Sequence, residues 1–255
     1  MARHLFRLSS YFFAFTCNNF NLFLLHMDKL IEKLERETTP LISSVDRDEF
    51  ILASEKAFDC LFDGTSKFYP WKFPTKLPAK FKLGVIVGSS GSGKSTLLKH
   101  FGIEEKPIWE ANKAVISHFD SPDDGINRLS SVGFNSIPSW YKPYEVLSNG
   151  EKFRADLARK LKSNAVIDEY TSVVDRTVAK AASVALSKYI KNNDIENVVL
   201  STCHYDILDW LEPDWVLNTD TGELLNGFFL PVHQSLSKYI AQTMIAGECL
   251  KTITI

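Results

Sequence analysis

The sequence predicts an α/β fold built on a mainly parallel sheet with flanking helices, and three observations carry that prediction. From Leu83 onward short apolar runs, "LGVIVG", "AVISHF", "NAVIDEY", "NVVLST" and "DWVLNT", alternate with helical stretches. Strands buried on both faces read as unbroken apolar runs, and parallel neighbours need crossover helices between them. Helical spacing is plain between Asp175 and Asn192, where Val178, Ala181, Ala182, Ala185, Leu186 and Tyr189 share one side. Third, a glycine- and serine-rich turn carries the first of these runs into the helical "KSTLLKHF".

Ahead of that core, Leu30, Ile31 and Leu34 predict a helix over 27–37, stopped by Thr38, Thr39 and Pro40. A second helix is expected over 47–62, with Phe50, Ile51, Ala57, Phe58 and Leu61 along one side. "FYPWKFPTKLPAK", broken by Pro70, Pro74 and Pro78, reads as loops or edge strands leading into the sheet. Between the second and third apolar runs one short helix fits near 123–131, and the tail holds one helical pattern around 234–246. Residues 1–26 are rich in Phe and Leu, but Asn18, Asn19 and Asn21 interrupt them, and the run falls short of the roughly 20 apolar residues a membrane span needs. Two readings stay open: a targeting segment, or an extension upstream of Met27.

The 255 residues are 45% hydrophobic and 24% charged, which is globular composition with apolar material for a substantial core. A formal net charge of −2 provides no general attraction to nucleic acid or anionic lipid, so a nucleic-acid partner is unsupported unless a local basic patch exists. Cys17, Cys60, Cys203 and Cys249 lie far apart in neither a CxxC nor a zinc spacing, and read as reduced thiols of a cytoplasmic protein, with a disulfide as the alternative.

The turn after the first strand carries chemistry. "GSSGSGKST" places Gly88, Ser89, Ser90, Gly91, Ser92, Gly93, Lys94, Ser95 and Thr96 between a strand and a helix, the Walker A pattern in its expected context. Glycines let successive backbone N–H groups face phosphate oxygens, and the helix N-terminus adds its positive end. Lys94 would neutralise β- and γ-phosphate oxygens of ATP, and Ser95 would ligate Mg²⁺. "NAVIDEY" then ends an apolar strand on Asp168 and Glu169, which emerge at the carboxyl edge beside the phosphates. Asp168 is placed to hold Mg²⁺, and Glu169 to polarise the attacking water.

"VLSNGEKF" reads first as a capping box, with Ser148 capping a helix and Glu151 reaching back to it. Its place between the phosphate loop and the Asp-Glu strand gives it a second meaning. In order, phosphate loop, "LSNGE", acidic strand, "SVVD" and His204 resemble the ABC-class ATPases, whose signature LSGGQ precedes the acidic strand. The resemblance implies that Ser148, Asn149, Gly150 and Glu151 close in trans over ATP held by another subunit, giving an ATP-sandwiched homodimer. Asn149 and Glu151 depart from the signature, and Glu151 adds negative charge near a phosphate. By the same resemblance Asp175 belongs to the D-loop, His204 is the switch histidine, His118 stands where the Q-loop glutamine is expected, and Tyr69 or Trp71 stacks on adenine.

Only about 50 residues separate the phosphate loop from "LSNGE", so the helical subdomain that docks on membrane subunits in transporters looks reduced. Residues 83–225 further resemble the soluble prokaryotic and phage ABC-type ATPases that occur fused to a GNAT acetyltransferase domain, although about 30 residues after Gly222 are too few for that domain. Two readings follow from this: the partner is a separate chain, an acetyltransferase or another protein, or the C-terminus is truncated. The chain thus divides into residues 1–26, a helical region 27–67, an ABC-type ATPase domain 68–225 and a tail 226–255. The expected activity is Mg²⁺-dependent ATP hydrolysis. Its rivals are a nucleotide-gated clamp or scaffold with slow hydrolysis, a transporter's ATPase subunit and a monomeric P-loop kinase.

Overall fold

The computed structural model describes residues 30–227. Its centre is a six-stranded sheet in the order β1 (Leu30–Lys33), β8 (Glu223–Asn226), β7 (Trp215–Asn218), β4 (Leu83–Val87), β6 (Val198–Thr202) and β5 (Val166–Ile167). The last four are parallel to one another, while β8 and β1 continue the sheet antiparallel. The result is a mainly parallel α/β sheet with antiparallel strands at one edge.

All five residues of β4 are buried, because the sheet is covered on both faces. Strand alternation divides the core. Val85, Val87 and Leu200 pack on one face with Leu129, Phe134, Leu157, Leu186 and Ile207. Ile86 and Val199 pack on the other with Leu97, Leu98, Trp215 and Leu217. Gly84 sits opposite Trp215 in the register, and a Cβ there would lie 2.0 Å from the indole. Trp215 can therefore lie flat across β4, with Phe101 stacked on it at 5.5 Å.

Three further helices position the site. These are α2 (Lys94–Leu98) after the phosphate loop, α5 (Asn149–Lys160) and α6 (Arg176–Asn192). The short helix expected near 123–131 is α3 (Pro122–Ser131), capped by Ser121. On α6 the buried face is turned from the expected one: Ala179, Ser183, Ser187 and Ile190 join Ala182 and Leu186 inside. Two serines are tolerated there because Ser183 meets the Tyr170 hydroxyl at 3.1 Å and Ser187 donates to Leu211 O at 2.6 Å.

Several sequence expectations are corrected. The 27–67 region is not mainly helical: where a helix was expected over 27–37, β1 pairs with β8 and Leu34 is buried in the sheet's core. A short apolar pattern yields there to long-range pairing. In the same region β2 (Leu41–Ser44) and β3 (Thr65–Phe68) form a separate hairpin flanking α1 (Glu49–Phe58). Helix α1 exists where expected, but Phe50 and Phe58 are 76% and 81% exposed, and its one buried residue is Glu55. The Glu55 carboxylate accepts from Arg47 and the Phe62 N–H. "AVISHF" is no strand: Val115–His118 is a 3-10 turn. "NAVIDEY" contributes only the two residues of β5. The helix expected around 234–246 and the segment 1–26 lie outside the described residues. Among the described residues no helix is long and apolar enough to cross a membrane.

Candidate active site at the phosphate loop

Strand β4 ends at Val87, and the chain turns through Gly88–Gly93 before α2 begins at Lys94. Gly93 adopts φ 102°, and a Cβ there would lie 2.8 Å from the Phe68 ring, so both its conformation and its neighbour require glycine. The loop is held from several sides. Ser92 O accepts from Trp71 Nε1 at 3.2 Å, and the Ser92 hydroxyl pairs with the Thr219 hydroxyl at 2.6 Å. Lys94 Nζ donates to Ser89 O at 2.7 Å.

A cavity of about 370 Å³ opens above the loop. Ser90, Gly91, Gly93, Lys94, Ser95 and Thr96 line one side, and Asp168, Glu169, Ser172 and Cys203 the other, with Phe68 between. Gly88, Ser89 and Ser92 stand outside the lining, facing the turn after β7. Of the aromatic residues expected at adenine, Trp71 has the Arg36 guanidinium 3.6 Å above its ring, and Tyr69 is exposed. Phe68, their neighbour, is the aromatic residue at the cavity; Cys203 there also carried no signal in the sequence.

Asp168 and Glu169 follow β5 directly. Asp168 Oδ1 accepts from the buried Ser201 hydroxyl on β6 and from the Glu169 N–H. Glu169 and Thr171 both have left-handed backbones, φ 50° and 68°, a conformation that costs a side-chain-bearing residue about 1 kcal/mol or more. This kink turns Glu169 onto the rim between the loop's cavity and a second cavity of about 430 Å³ bordered by α5. Thr171 Oγ1 meets His204 Nδ1 at 3.0 Å, and His204 does not line the cavity, although its neighbour Cys203 does. Burial and the Arg176 charge hold His204 below its ordinary pKa, against the pull of Asp206.

Ser95 and Asp168 both line this cavity, with Glu169 beside them. Among the described residues no group of three or more His, Cys, Asp or Glu side chains could hold a metal ion. A serine hydroxyl and one carboxylate, completed by phosphate oxygens and water, is the donor set Mg²⁺ takes beside a nucleotide. The residues present therefore fit that ion.

The capping box is formed. Ser148 Oγ accepts from the Glu151 N–H at 3.4 Å and donates to the Glu151 carboxylate at 2.9 Å, which also accepts from the Ser148 N–H at 2.9 Å. The Ser139 hydroxyl, with the Ser148 N–H and hydroxyl, brings Glu151 to a pKa of about 2, so it is ionised at neutral pH. Asn149 is exposed, and a Cβ on Gly150 would meet nothing within 4 Å. Asp175 caps α6, accepting from Thr177 N and Val178 N at 2.8 and 2.9 Å. His118 does not line the loop's cavity. Its Nε2 accepts from the Glu110 N–H at 2.9 Å, its Nδ1 lies 3.0 Å from Ala114 O, and Trp109 packs on it edge-on.

The cavity thus brings a glycine-rich strand-to-helix turn and an acidic strand end together within one chain. The chain matches no protein-family model and no curated protein sequence. Among solved structures it is similar to the ATP-binding cassette MJ0796 in a dimeric post-hydrolysis state bound to ADP and Pi, at 15% identity and a TM-score of 0.46, over 80% of this chain and 96% of that one. A second structure of MJ0796, a dimeric bacterial ABC transporter cassette, is 14% identical with a TM-score of 0.45 over the same shares. A likeness this distant assigns no activity.

Proposed function

We propose that this chain is a non-transport ABC-type ATPase that binds ATP with Mg²⁺ at the phosphate loop and hydrolyses it within an ATP-sandwiched homodimer. The observation that carries the reading is one cavity bringing Lys94 and Ser95 from the end of β4 together with Asp168 and Glu169 from the end of β5. Lys94 leaves the Ser89 carbonyl to meet the β- and γ-phosphates. Ser95 and Asp168 would hold Mg²⁺, which when bound would supply positive charge to the phosphate oxygens. The Glu169 carboxylate orients a water and takes its proton as the new oxygen–phosphorus bond forms and the β–γ bridge breaks, leaving ADP and phosphate. His204, outside the cavity lining and bonded to Thr171, would take the switch-histidine role by a movement of its turn, and Phe68 offers an aromatic surface on the base side.

Ser148 and Gly150 act on the nucleotide of the second copy, which agrees with the exposed start of α5. The soluble, cytoplasmic branch of the family that resembles the acetyltransferase-fused ATPases is the setting we infer, with the motion of the dimer passed to a separate protein. Phosphate release, equilibrium nucleotide binding and light-scattering mass test the reading. Wild type should release phosphate from Mg-ATP, Lys94→Ala should lose nucleotide binding, and Glu169→Gln should double in mass with Mg-ATP. Nucleotide binding that survives Lys94→Ala unchanged would remove the proposed site.

A further inference from the structure

The turn after β7 approaches the phosphate loop as a clamp. Thr219 is fully buried; its N–H and hydroxyl both donate to Val87 O, at 2.8 and 3.1 Å, and its hydroxyl also meets Ser92. Asn218 Oδ1 shapes the turn by accepting from the Asp220 N–H at 2.9 Å. Asp220 is thereby set at the foot of the loop, 131 residues along the chain from Ser89. Both of its carboxylate oxygens lie 3.0 Å from the Ser89 N–H nitrogen, and Ser89 Oγ donates to Oδ1 at 2.7 Å. Since Lys94 donates to the Ser89 carbonyl, the backbone donor, hydroxyl and carbonyl of Ser89 are all engaged at once.

Asp220 has another partner on the opposite side. The Tyr205 hydroxyl donates to Oδ2 at 2.7 Å, and Tyr205 directly follows His204. A single carboxylate thus joins the loop that receives phosphate to the turn that carries the switch histidine. Partial desolvation pushes the Asp220 carboxyl up, but the Ser89 and Tyr205 hydroxyls, the Ser89 N–H and the Lys94 charge bring it below the ordinary range. Charge-assisted bonds of this kind are roughly twice as strong as neutral ones. Ser89 does not line the cavity, so Asp220 acts through the loop rather than on the ligand.

We propose that Asp220 is a positioning residue for the phosphate loop, holding the Ser89 peptide and the turn that follows it in place while Lys94 moves to the phosphates, and linking that peptide, through Tyr205, to the His204 turn. This rests on the nucleotide-binding reading above. Mg-ADP and Mg-ATP affinities by calorimetry, with kcat and KM, test it in the full chain. Asp220→Ala should weaken both nucleotides about tenfold, the scale of one charge-assisted hydrogen bond, and Asp220→Asn, which retains an acceptor, should recover most of that loss. Ser89→Ala added to Asp220→Ala should weaken binding no further, because the hydroxyl's partner is already gone. Tyr205→Phe should lower kcat while leaving Mg-ADP affinity within about twofold.

Affinities within about twofold of wild type in a folded Asp220→Ala protein, or additive effects of the Ser89 and Asp220 changes, would overturn the assignment. If Asp220→Ala does not fold, Tyr205→Phe decides: a wild-type kcat there would overturn the link to the His204 turn and with it the assignment. Lys94→Ala separates the two layers. Were its nucleotide affinity that of wild type, the site reading itself would fail; loss of binding there with an unchanged Asp220 variant would sink only the positioning role.

Discussion

The starts of α2 and α5 are both suited to receive an anion, and each has a serine held by a carboxylate from the same chain. At α2 the carboxylate is Asp220, which grips Ser89 beneath the loop and leaves the side lined by Ser90, Gly91 and Gly93–Thr96 facing the cavity. At α5 it is Glu151, which takes the Ser148 N–H and hydroxyl themselves. The first arrangement organises a site without filling it. The second fills the helix's own anion position, so an incoming phosphate has to compete with Glu151. On the proposed function, one end would be ready for nucleotide in a single chain, and the other, stable as a cap, would change partners when a second copy arrives.

The sharpest separation between the two ends comes from Glu169→Gln. On general-base arguments kcat should fall about 10²–10⁴-fold, while nucleotide affinity, set at the α2 end, stays close to wild type. Steady-state turnover beside calorimetric binding measures both. A kcat near wild type would remove Glu169 as the base.

Ser148→Arg addresses the α5 end alone. It loses the cap and sets a bulky cation where the two copies should meet. Nucleotide binding by the monomer should survive, and the Mg-ATP-dependent mass doubling of the Glu169→Gln protein should disappear when Ser148→Arg is added. If doubling persists in that double variant, α5 does not close on the partner's nucleotide. Glu151→Gln moves the other way. With the resident charge gone, the nucleotide dimer should tighten by a few-fold, and more at low salt than at high salt, as expected for a partly exposed charge. Sedimentation at two ionic strengths would register the change, and a weakened dimer would count against competition at this cap.

Distance along the chain explains what could be read in advance. The glycine-rich turn is contiguous, so its place between β4 and α2 was legible, although Gly88, Ser89 and Ser92 stand outside the cavity that its other residues line. Asp168 and Glu169 were legible because an apolar strand delivers them to the sheet's carboxyl edge. The Ser148–Glu151 box was equally local. By contrast, β1 becomes a strand only through pairing with β8, with Lys33 and Glu223 190 residues apart. Three apolar residues could not announce a partner that far away. Asp220 was invisible for the same reason: "NTDTGEL" looks like a polar turn until the sheet folds Ser89 beside it. Phe68 was missed by one position, since which of three adjoining aromatics faces the cavity depends on how β3 ends. His118 had the right residue type in a plausible place, but its ring nitrogens meet the backbone at Glu110 N and Ala114 O, which sequence spacing does not disclose.

The smallest expected effect concerns pH and the α5 cap without any nucleotide. Glu151 is lowered from 4.5 to about 2 by bonds that exist only in the folded chain, so the unfolded chain binds its proton first as the medium is acidified. The cap's contribution to stability is therefore full above about 4.5 and disappears as pH falls through that value towards about 2. Glu151→Gln retains an acceptor oxygen but has no charge to lose. The stability difference between wild type and Glu151→Gln, from urea midpoints, should be constant from pH 7 to about 5 and should narrow below about 4.5. A difference that stays flat through that window would mean the carboxylate is not bonded at α5 in solution, and the contrast between a self-filled and an open helix end would lose its basis.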